Sequence, residues 1–212
     1  MCNDRNNLIP IATIKRLPIY LSVINDYMQK GKTEISSNKI AHIINENPSL
    51  VKKDLSYVIS KEGKPKIGYE IKSLIADLKS FLSNNHFNKA VIVGTGLLGS
   101  ALMSYNGFDE YNLQIECGFD IDKTKINTEI SNKKIYDINN LEDFVKQNNI
   151  KIGIITTPQN YAQKVAEMLI RAGIKAIWNF TSSHIDVSKN IIIKNEDLAT
   201  SLVVISKQLE NL

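Results

Sequence analysis

The spacing of hydrophobic positions changes once along the chain, and the change divides it into two parts. In the first 80 residues apolar side chains recur at steps of three and four, which predicts short amphipathic helices. Beyond residue 84, short runs of Val and Ile alternate with helical patterns, as in strands joined by helices. The sequence therefore predicts a helical domain over 1–83, an α/β domain over 84–195 and a terminal helical segment over 196–212.

Three helices are predicted in the first part. The first begins with Thr13 as its N-cap and ends before Gly31, which follows the last periodic apolar residue. The second covers 37–45. Asn47 is followed by proline, a combination that starts helices, so the third is expected to run from 48 to about 60.

Two short helices joined by a tight turn are typical of a helix-turn-helix. The apolar stripe of the third helix turns a set of hydroxyl and ammonium groups outward: Ser49, Lys52, Lys53 and Ser56. The basic, turn-rich segment 61–71 follows and predicts a winged hairpin, whose candidate DNA contacts are Lys61, Lys64 and Lys66. A small helical cap on an enzyme domain would give the same bare pattern.

The second part opens on a strand-like run that breaks into a glycine-rich turn and then resumes with helix formers. This turn has the spacing Gly-x-Gly-x-x-Gly, which allows a sharp bend, a close approach to a pyrophosphate and tight helix packing. An acid 21 residues later, at the end of the next strand, is placed for ribose hydroxyls. These features predict a dinucleotide site; the alternative is a plain strand-turn-helix. The candidate residues are Gly94, Thr95, Gly96, Leu97, Leu98, Gly99 and Asp120.

Strands and helices continue to alternate to the end of the second part, which predicts a doubly wound parallel sheet. Ligands bind at the carboxyl ends of the strands in such sheets. The residues that follow two later strands should therefore line the same crevice as the glycine turn. They are Thr156, Thr157, Pro158, Asn179 and Phe180.

The composition indicates an uneven distribution of charge along the chain and a cellular compartment for the protein. The net charge is +4, but residues 1–80 hold 13 basic and 8 acidic side chains and the remainder 13 and 14. This imbalance favours a polyanionic partner for the first part, although a solvated lysine-rich surface would look the same. The two cysteines have no metal-ligand spacing, and no run is long and apolar enough for a signal peptide or membrane span. A cytoplasmic protein is expected.

No catalytic or metal-binding set accompanies the glycine turn. The three histidines are isolated, and no Ser/His/Asp group or lysine–tyrosine relay is evident. A dinucleotide site without an acid–base partner indicates a sensor rather than an enzyme.

A last helix is predicted from about Asn195 to Leu209, with a broad apolar face. Such a face must pack on something, either its own sheet or a partner subunit. The helix-turn-helix favours a homodimer, because paired half-sites need paired recognition helices.

In combination these residues resemble the Rex family of redox-sensing transcriptional repressors, over nearly the whole chain from about Ile9 to Leu209. The Lys-Asp-Leu-Ser run upstream of the glycine turn is the most specific feature. The segments that carry the resemblance include 13–20, 51–57, 94–99, 105–108, 119–122, 172–175 and 195–198.

The resemblance implies a homodimer with a winged helix, a Rossmann domain and a last helix swapped into the other subunit. It implies operator binding in the NAD⁺-bound or free state and release when NADH is bound. By position, Lys52, Lys53 and Ser56 would contact DNA, with Arg16 as a further candidate. The cofactor would be surrounded by Gly94, Gly96, Leu97, Leu98, Asp120, Thr157 and Phe180. Tyr105 would pair with Asp197 in a contact that changes between two dimer shapes.

Several positions depart from the family pattern. The usual asparagine of the glycine turn is Leu97, an arginine expected in the first helix is Ser22, and a Val-Pro-Ala segment reads Thr-Pro-Gln at Gln159. The recognition arginine is Lys52, which keeps the charge but loses the two-pronged guanine contact. A wing-start Phe-Gly pair is replaced at Val58.

The expected function is thus an NADH-responsive repressor. Two alternatives stay open: a small NAD-dependent oxidoreductase with a helical cap, and a DNA-binding paralogue that has lost the distinction between NADH and NAD⁺.

Overall fold

The computed structural model describes residues 9–65, 67–83 and 88–210, and the chain divides into two compact units between residues 85 and 86. The first unit contains four helices and two short strands that pair antiparallel: α1 (Ile11–Gln29), β1 (Glu34–Ile35), α2 (Ser37–Ile44), α3 (Pro48–Ser56), β2 (Tyr69–Glu70) and α4 (Ile71–Leu82). Apolar residues from all four helices are fully buried together, among them Leu17, Ile24, Ile40, Leu55 and Leu78.

The three predicted helices exist, with two corrections at their ends. Helix α1 begins at Ile11 after Pro10, whose carbonyl accepts the N–H groups of Thr13 and Ile14. Thr13 therefore lies inside the helix and is not its cap. Helix α3 ends at Ser56 instead of about 60, because the chain tightens there into a turn that closes on the Leu55 carbonyl. The predicted cap at its start is confirmed, since Asn47 Oδ1 accepts the Ser49 N–H at 2.8 Å.

Helix α4 was not predicted, and the wing is smaller than the expected hairpin. Four buried residues of α4, Ile71, Leu74, Ile75 and Leu78, follow the spacing of an amphipathic helix. The segment before it pairs with itself at one bridge, Lys64 with Gly68, and then β2 pairs with β1. The β-like residues at 69–71 therefore belong to a strand that joins the helical core and to the start of α4.

The second unit is built on a seven-stranded sheet. Its strands are β3 (Asn88–Val93), β4 (Leu113–Asp120), β5 (Glu129–Ile130), β6 (Lys133–Asp137), β7 (Ile152–Ile155), β8 (Ala176–Asn179) and β9 (Ile192–Asn195). Their order is β5-β6-β4-β3-β7-β8-β9. All neighbours are parallel except β5, which is a two-residue antiparallel edge strand that the sequence did not predict. The chain reverses direction across the sheet between β3 and β7, which is where such folds bind ligands.

The helices of the second unit are α5 (Leu97–Ser104), α6 (Leu141–Gln147), α7 (Ala162–Ala172) and α8 (Leu198–Leu209). Helices α6 and α7 bury one face of the sheet in a large apolar core. Met103 of α5 joins a smaller core on the opposite face, with Ile92 and Ile154. Helix α8 is different, because its apolar residues Leu202, Val203, Val204, Ile205 and Leu209 are 51–68% exposed. Among the described residues, no helix has the length and apolarity required to cross a bilayer.

Candidate nucleotide-binding cleft and nucleic-acid interface

The glycine turn joins β3 to α5, and two of its glycines are required by packing. Gly94 has φ +93°, and a Cβ there would lie 2.8 Å from the carbonyl oxygen of Thr156. A Cβ on Gly99 would lie 2.1 Å from the Gly94 carbonyl oxygen. The turn and the first part of α5 are thus pressed directly against the end of β7.

Gly96 serves a different purpose. It immediately precedes α5, and a Cβ built on it meets no atom within 4 Å. Packing in the protein therefore does not require glycine here, but the open space beside the helix N-terminus does accommodate a close-lying group. Unpaired N–H groups and the positive end of the helix favour an anion at this place.

Two threonines after β7 complete the turn from the other side. Thr156 Oγ1 donates to the Gly94 carbonyl oxygen at 2.6 Å, which ties the strand end to the turn. The next hydroxyl, Thr157 Oγ1, is buried and has no hydrogen-bond partner within the described part of the chain. A buried hydroxyl without a partner is costly, so its position in the cleft fits a polar ligand group.

Asp120 ends β4 on the other side of the turn, and its carboxylate is surrounded by donors. Oδ2 accepts the N–H of Thr95 at 2.8 Å, the Thr95 hydroxyl at 2.6 Å and Lys125 Nζ at 3.3 Å. Oδ1 accepts the N–H groups of Ile121 and Asp122. Burial would raise the pKa of this carboxyl, but the hydrogen bonds outweigh burial and hold the pKa at about 2. The group is therefore ionised at neutral pH.

These elements border one cleft of about 840 Å³. Six of the predicted residues line it: Gly94, Gly96, Asp120, Thr156, Thr157 and Pro158. The remainder of the wall comes from the turn after β4, the segment before α6 and one side of α7. Those residues include Ile121, Lys125, Ile138, Tyr161, Lys164, Met168 and Arg171.

Four other predicted cofactor residues belong to the glycine turn or to the start of α5 but do not line this cleft. Thr95 is buried behind the turn, Gly99 is in the packing contact with Gly94, and Leu97 is 96% exposed. Leu98 is half-buried on α5. None of these four lines the cleft.

Asn179 and Phe180 also differ from expectation. Asn179 is fully buried. Its side-chain nitrogen donates to the Ser183 carbonyl and to Asn195 Oδ1, and its side-chain oxygen accepts the Thr181 hydroxyl, so it fixes the chain after β8. Phe180 packs on Trp178 with ring centroids 4.5 Å apart, in the core on the α5 face. Sequence reasoning placed both on the crevice because it could not show to which side of β8 each side chain turns.

The α7 side of the cleft was missed by the sequence analysis. Lys164, Val165 and Met168 of α7 follow Tyr161, the residue before the helix, by three, four and seven positions, so the helical spacing was present in the sequence. Spacing alone does not show that one edge of this helix borders the cleft, because that depends on how the helix packs on the sheet.

Tyr105 and Asp197, the pair expected to change contacts between two dimer shapes, lie 92 positions apart in the sequence of the second unit. Tyr105 follows the last residue of α5, and its ring meets that of Phe108 edge to face, with 5.0 Å between the ring centroids. Asp197 caps α8 and accepts the N–H groups of Ala199 and Thr200 together with the Thr200 hydroxyl. These hydrogen bonds lower the pKa of Asp197.

In the first unit, the outward side chains of α3 form a polar surface as predicted. Ser49, Lys52, Lys53 and Ser56 are all exposed, with the Ser56 hydroxyl bonded to the Lys53 carbonyl. Lys61 and Lys64 of the wing are exposed as well, and Lys66 lies outside the described residues.

Arg16 is not part of this surface. Its guanidinium binds the buried carboxylate of Asp54 on α3 through two hydrogen bonds, Nε–Oδ2 at 2.6 Å and Nη2–Oδ1 at 2.9 Å. Thr13 and Tyr20, on the same face of α1, donate to the same carboxylate at 2.8 and 2.7 Å. Arg16 therefore holds α3 in place, which corrects its assignment as a DNA contact.

The electrostatics agree with this structural role. Burial opposes the charge of Asp54, but the donors from Arg16, Tyr20 and Thr13 outweigh it and lower the pKa of the carboxyl. The hydrogen bond to Asp54 in turn raises the pKa of Arg16, and burial together with that carboxylate raises the pKa of Tyr20.

Comparison with known proteins matches both units. Residues 85–183 match the family model described as a CoA binding domain, and residues 8–56 match the one described as a putative DNA-binding protein N-terminus. The redox-sensing transcriptional repressor Rex of Porphyromonas gingivalis is 35% identical, covering 96% of this chain and 93% of that protein. Rex of Treponema denticola is 39% identical, covering 93% and 94%.

Solved structures agree over the same length. The Rex-family repressor RSP in complex with β-NAD⁺ and operator DNA superimposes with a TM-score of 0.86 at 30% identity, covering 97% of this chain and 94% of that one. RSP in complex with β-NADH gives a TM-score of 0.86 and covers 97% and 96%. With relatives at this identity over almost its full length, this chain belongs to the Rex family of redox-sensing transcriptional repressors.

Proposed function

We propose that this protein is a redox-sensing repressor that binds operator DNA as a homodimer and is released when NADH occupies its cleft. The observation that carries the proposal is the unpartnered hydroxyl of Thr157 in a cleft whose Gly96 leaves room beside a helix N-terminus. Such an arrangement is typical of a site for phosphate or a nucleotide. The same chain carries α3, whose exposed lysines are suited to DNA. Rex relatives support the same pairing of cofactor and DNA.

Different parts of the cleft fit the pyrophosphate, the ribose and the adenine of NAD(H). The pyrophosphate would lie against Gly96 and the start of α5, and Thr157 would donate to a polar group nearby. Asp120 would accept ribose hydroxyls. The apolar surfaces of Ile121 and Tyr161, both exposed at the cleft, would contact the adenine. When bound, the cofactor supplies the redox state that the protein senses.

DNA would be bound by α3 in the major groove and by the wing. Lys52 and Lys53 are exposed next to each other on α3, and Lys61 and Lys64 extend the positive surface. An ammonium contacts phosphate or a base as a single point charge, so Lys52 would select its base less strictly than an arginine.

The homodimer would form by exchange of α8. Its apolar residues are exposed in the single chain, and a groove of about 420 Å³ on the α5 face of the sheet is lined mostly by apolar residues, with polar ones such as Lys194 and Glu196 among the others. Ala90, Ile115, Ile154 and Trp178 are among them. We infer that α8 of a second copy covers this apolar groove, because large apolar patches are rarely left exposed to water.

Release would be a population shift between two dimer shapes. NADH must bind the shape that releases DNA more tightly than the shape that binds DNA, and a change from 1:99 to 99:1 needs a preference of about 10⁴-fold between the two shapes. Tyr105 and Asp197, at the ends of α5 and α8, are the pair expected to exchange contacts between the shapes. The protein would regulate without turning over substrate.

The test is titration of labelled operator DNA, selected from random sequences by the protein itself, at several NADH/NAD⁺ ratios and two salt concentrations. Binding should weaken as the NADH fraction rises. The variant Gly96→Val, which fills the open space beside α5, should stay on DNA at every ratio. Equal retention of the parent with and without NADH would contradict sensing and favour a paralogue that has lost it, and NADH oxidation with a substrate would favour the oxidoreductase.

A further inference from the structure

We propose that the Thr95 hydroxyl limits the affinity for the cofactor by competing with the ribose for the Asp120 carboxylate. The inference rests on the proposed function, in which Asp120 accepts the ribose hydroxyls. It concerns a residue that lies behind the cleft and would touch the cofactor only through Asp120.

The carboxylate of Asp120 accepts hydrogen bonds from more donors than it has lone-pair positions. Two backbone N–H groups bind Oδ1, at 2.8 Å from Ile121 and 3.1 Å from Asp122. Three donors converge on Oδ2, which are the Thr95 N–H, the Thr95 hydroxyl and the Lys125 ammonium. A carboxylate offers about four lone-pair positions, so all of them are taken. A ribose hydroxyl can bind only by displacing a donor.

The five donors differ in how easily they can leave. Three are backbone N–H groups fixed by the glycine turn and by the turn after β4. Lys125 is held weakly, with its side chain 37% exposed and a second carboxylate, that of Asp122, 3.9 Å from Nζ. It can move aside at little cost. Once it has moved, the remaining side-chain competitor is the Thr95 hydroxyl, which has the shortest contact to Oδ2 at 2.6 Å.

Valine is the matched replacement for Thr95. The Cγ2 methyl of Thr95 packs against Gly118, where a Cβ would lie 2.6 Å from it, and the side chain is almost completely buried. Thr95→Val keeps the Cγ2 methyl and replaces the hydroxyl with a second methyl of similar size. Thr95→Ser keeps the hydroxyl and removes the methyl. Thr95→Ala is a second hydroxyl-free variant that introduces no new bulk.

The experiment measures the binding of ADP, 2′-deoxy-ADP and NADH to the full-length parent and the three variants by titration calorimetry. Thr95→Val and Thr95→Ala should bind ADP roughly fivefold more tightly than the parent, about the size of one modest hydrogen bond. Most of that gain should be lost with 2′-deoxy-ADP. Thr95→Ser should resemble the parent with both ligands.

The outcomes separate this inference from the proposed function. Equal ADP binding by Thr95→Val and Thr95→Ala would overturn the inference, and weaker binding would overturn it and indicate that Thr95 orients Asp120. A gain that is the same for ADP and 2′-deoxy-ADP would also overturn it, since the effect would then not depend on the ribose. If the parent and all variants failed to bind both ADP and NADH, the proposed function itself would be wrong.

Discussion

Arg16 on α1 binds the carboxylate of Asp54 through two nitrogens of its guanidinium. This contact fixes α3, the helix proposed to contact DNA. The two hydrogen bonds measure 2.6 and 2.9 Å and link α1 to α3. Asp54 lies on the buried side of α3, between the exposed Lys53 and the buried Leu55. The outer surface of α3 is therefore positioned from inside by a charged contact.

Removing the charge of Asp54 should destabilise the first unit. The variant Asp54→Asn leaves the partly buried guanidinium of Arg16 without its counter-ion, which typically costs about 3 kcal/mol. Urea unfolding followed by far-ultraviolet circular dichroism measures the change. Asp143→Asn, at an exposed position on α6, is the control. A difference below about 0.5 kcal/mol would show that the contact contributes little.

Salt dependence should distinguish positioning residues from phosphate contacts. Lys53→Met should reduce the slope of log K against log salt by about 0.9, the value for one lost phosphate contact. Arg16→Met should weaken DNA binding with the slope unchanged, because the charge that it removes faces Asp54 and not the DNA. The measurement is operator binding between 50 and 200 mM salt, with Lys175→Met, at an exposed site in the second unit, as the control. A reduced slope for Arg16→Met would restore Arg16 as a DNA contact.

Two glycines of the same turn should respond differently to alanine. Gly96→Ala should fold normally, since its Cβ meets nothing within 4 Å, yet weaken NADH binding at least tenfold by filling the pyrophosphate space. Gly99→Ala should destabilise the protein by about 2 kcal/mol, because its Cβ would lie 2.1 Å from the Gly94 carbonyl. Thermal unfolding and NADH titration of both variants test this. Normal NADH binding by Gly96→Ala would place the pyrophosphate elsewhere.

Asp120 should contribute to stability at neutral pH and lose that contribution in acid. Its pKa of about 2 lies below the ordinary value of 3.8, so the folded state favours the ionised form. The contribution is complete above about pH 4 and disappears as the pH falls towards 2, with a size of about 2 kcal/mol. Unfolding of the parent and Asp120→Asn should therefore differ at pH 6 and converge near pH 2. A constant difference across this range would contradict the shift.

A charge on α8 should prevent the homodimer. Ile205→Lys places an ammonium in the apolar surface that we propose to be exchanged between subunits, where burying it is unfavourable. Sedimentation equilibrium should give monomers for this variant and dimers for the parent. Gln208→Lys adds the same charge one turn away at a polar exposed position and should remain dimeric. A dimeric Ile205→Lys would exclude this surface from the interface.

The sequence predicted the local features because their causes are local. The glycine spacing of the turn, the Asn47 cap and the alternation of strands and helices depend on residues within a few positions of one another. Side-chain partners were predicted less well. Arg16 meets Asp54 across 38 residues and Asn179 meets Asn195 across 16, so neither partnership leaves a short-range pattern. Helix α4 was missed because its first residues follow a β-like segment.

By itself, the sequence determined the division into a helical part and an α/β part, the nucleotide turn and the family to which the chain is similar. Only the tertiary structure decided that Arg16 faces inward, that Asn179 lies behind the cleft and that one edge of α7 borders it. Hydrophobic periodicity and turn chemistry are set by neighbours along the chain, whereas the partner of a charged or polar group is set by which elements pack together.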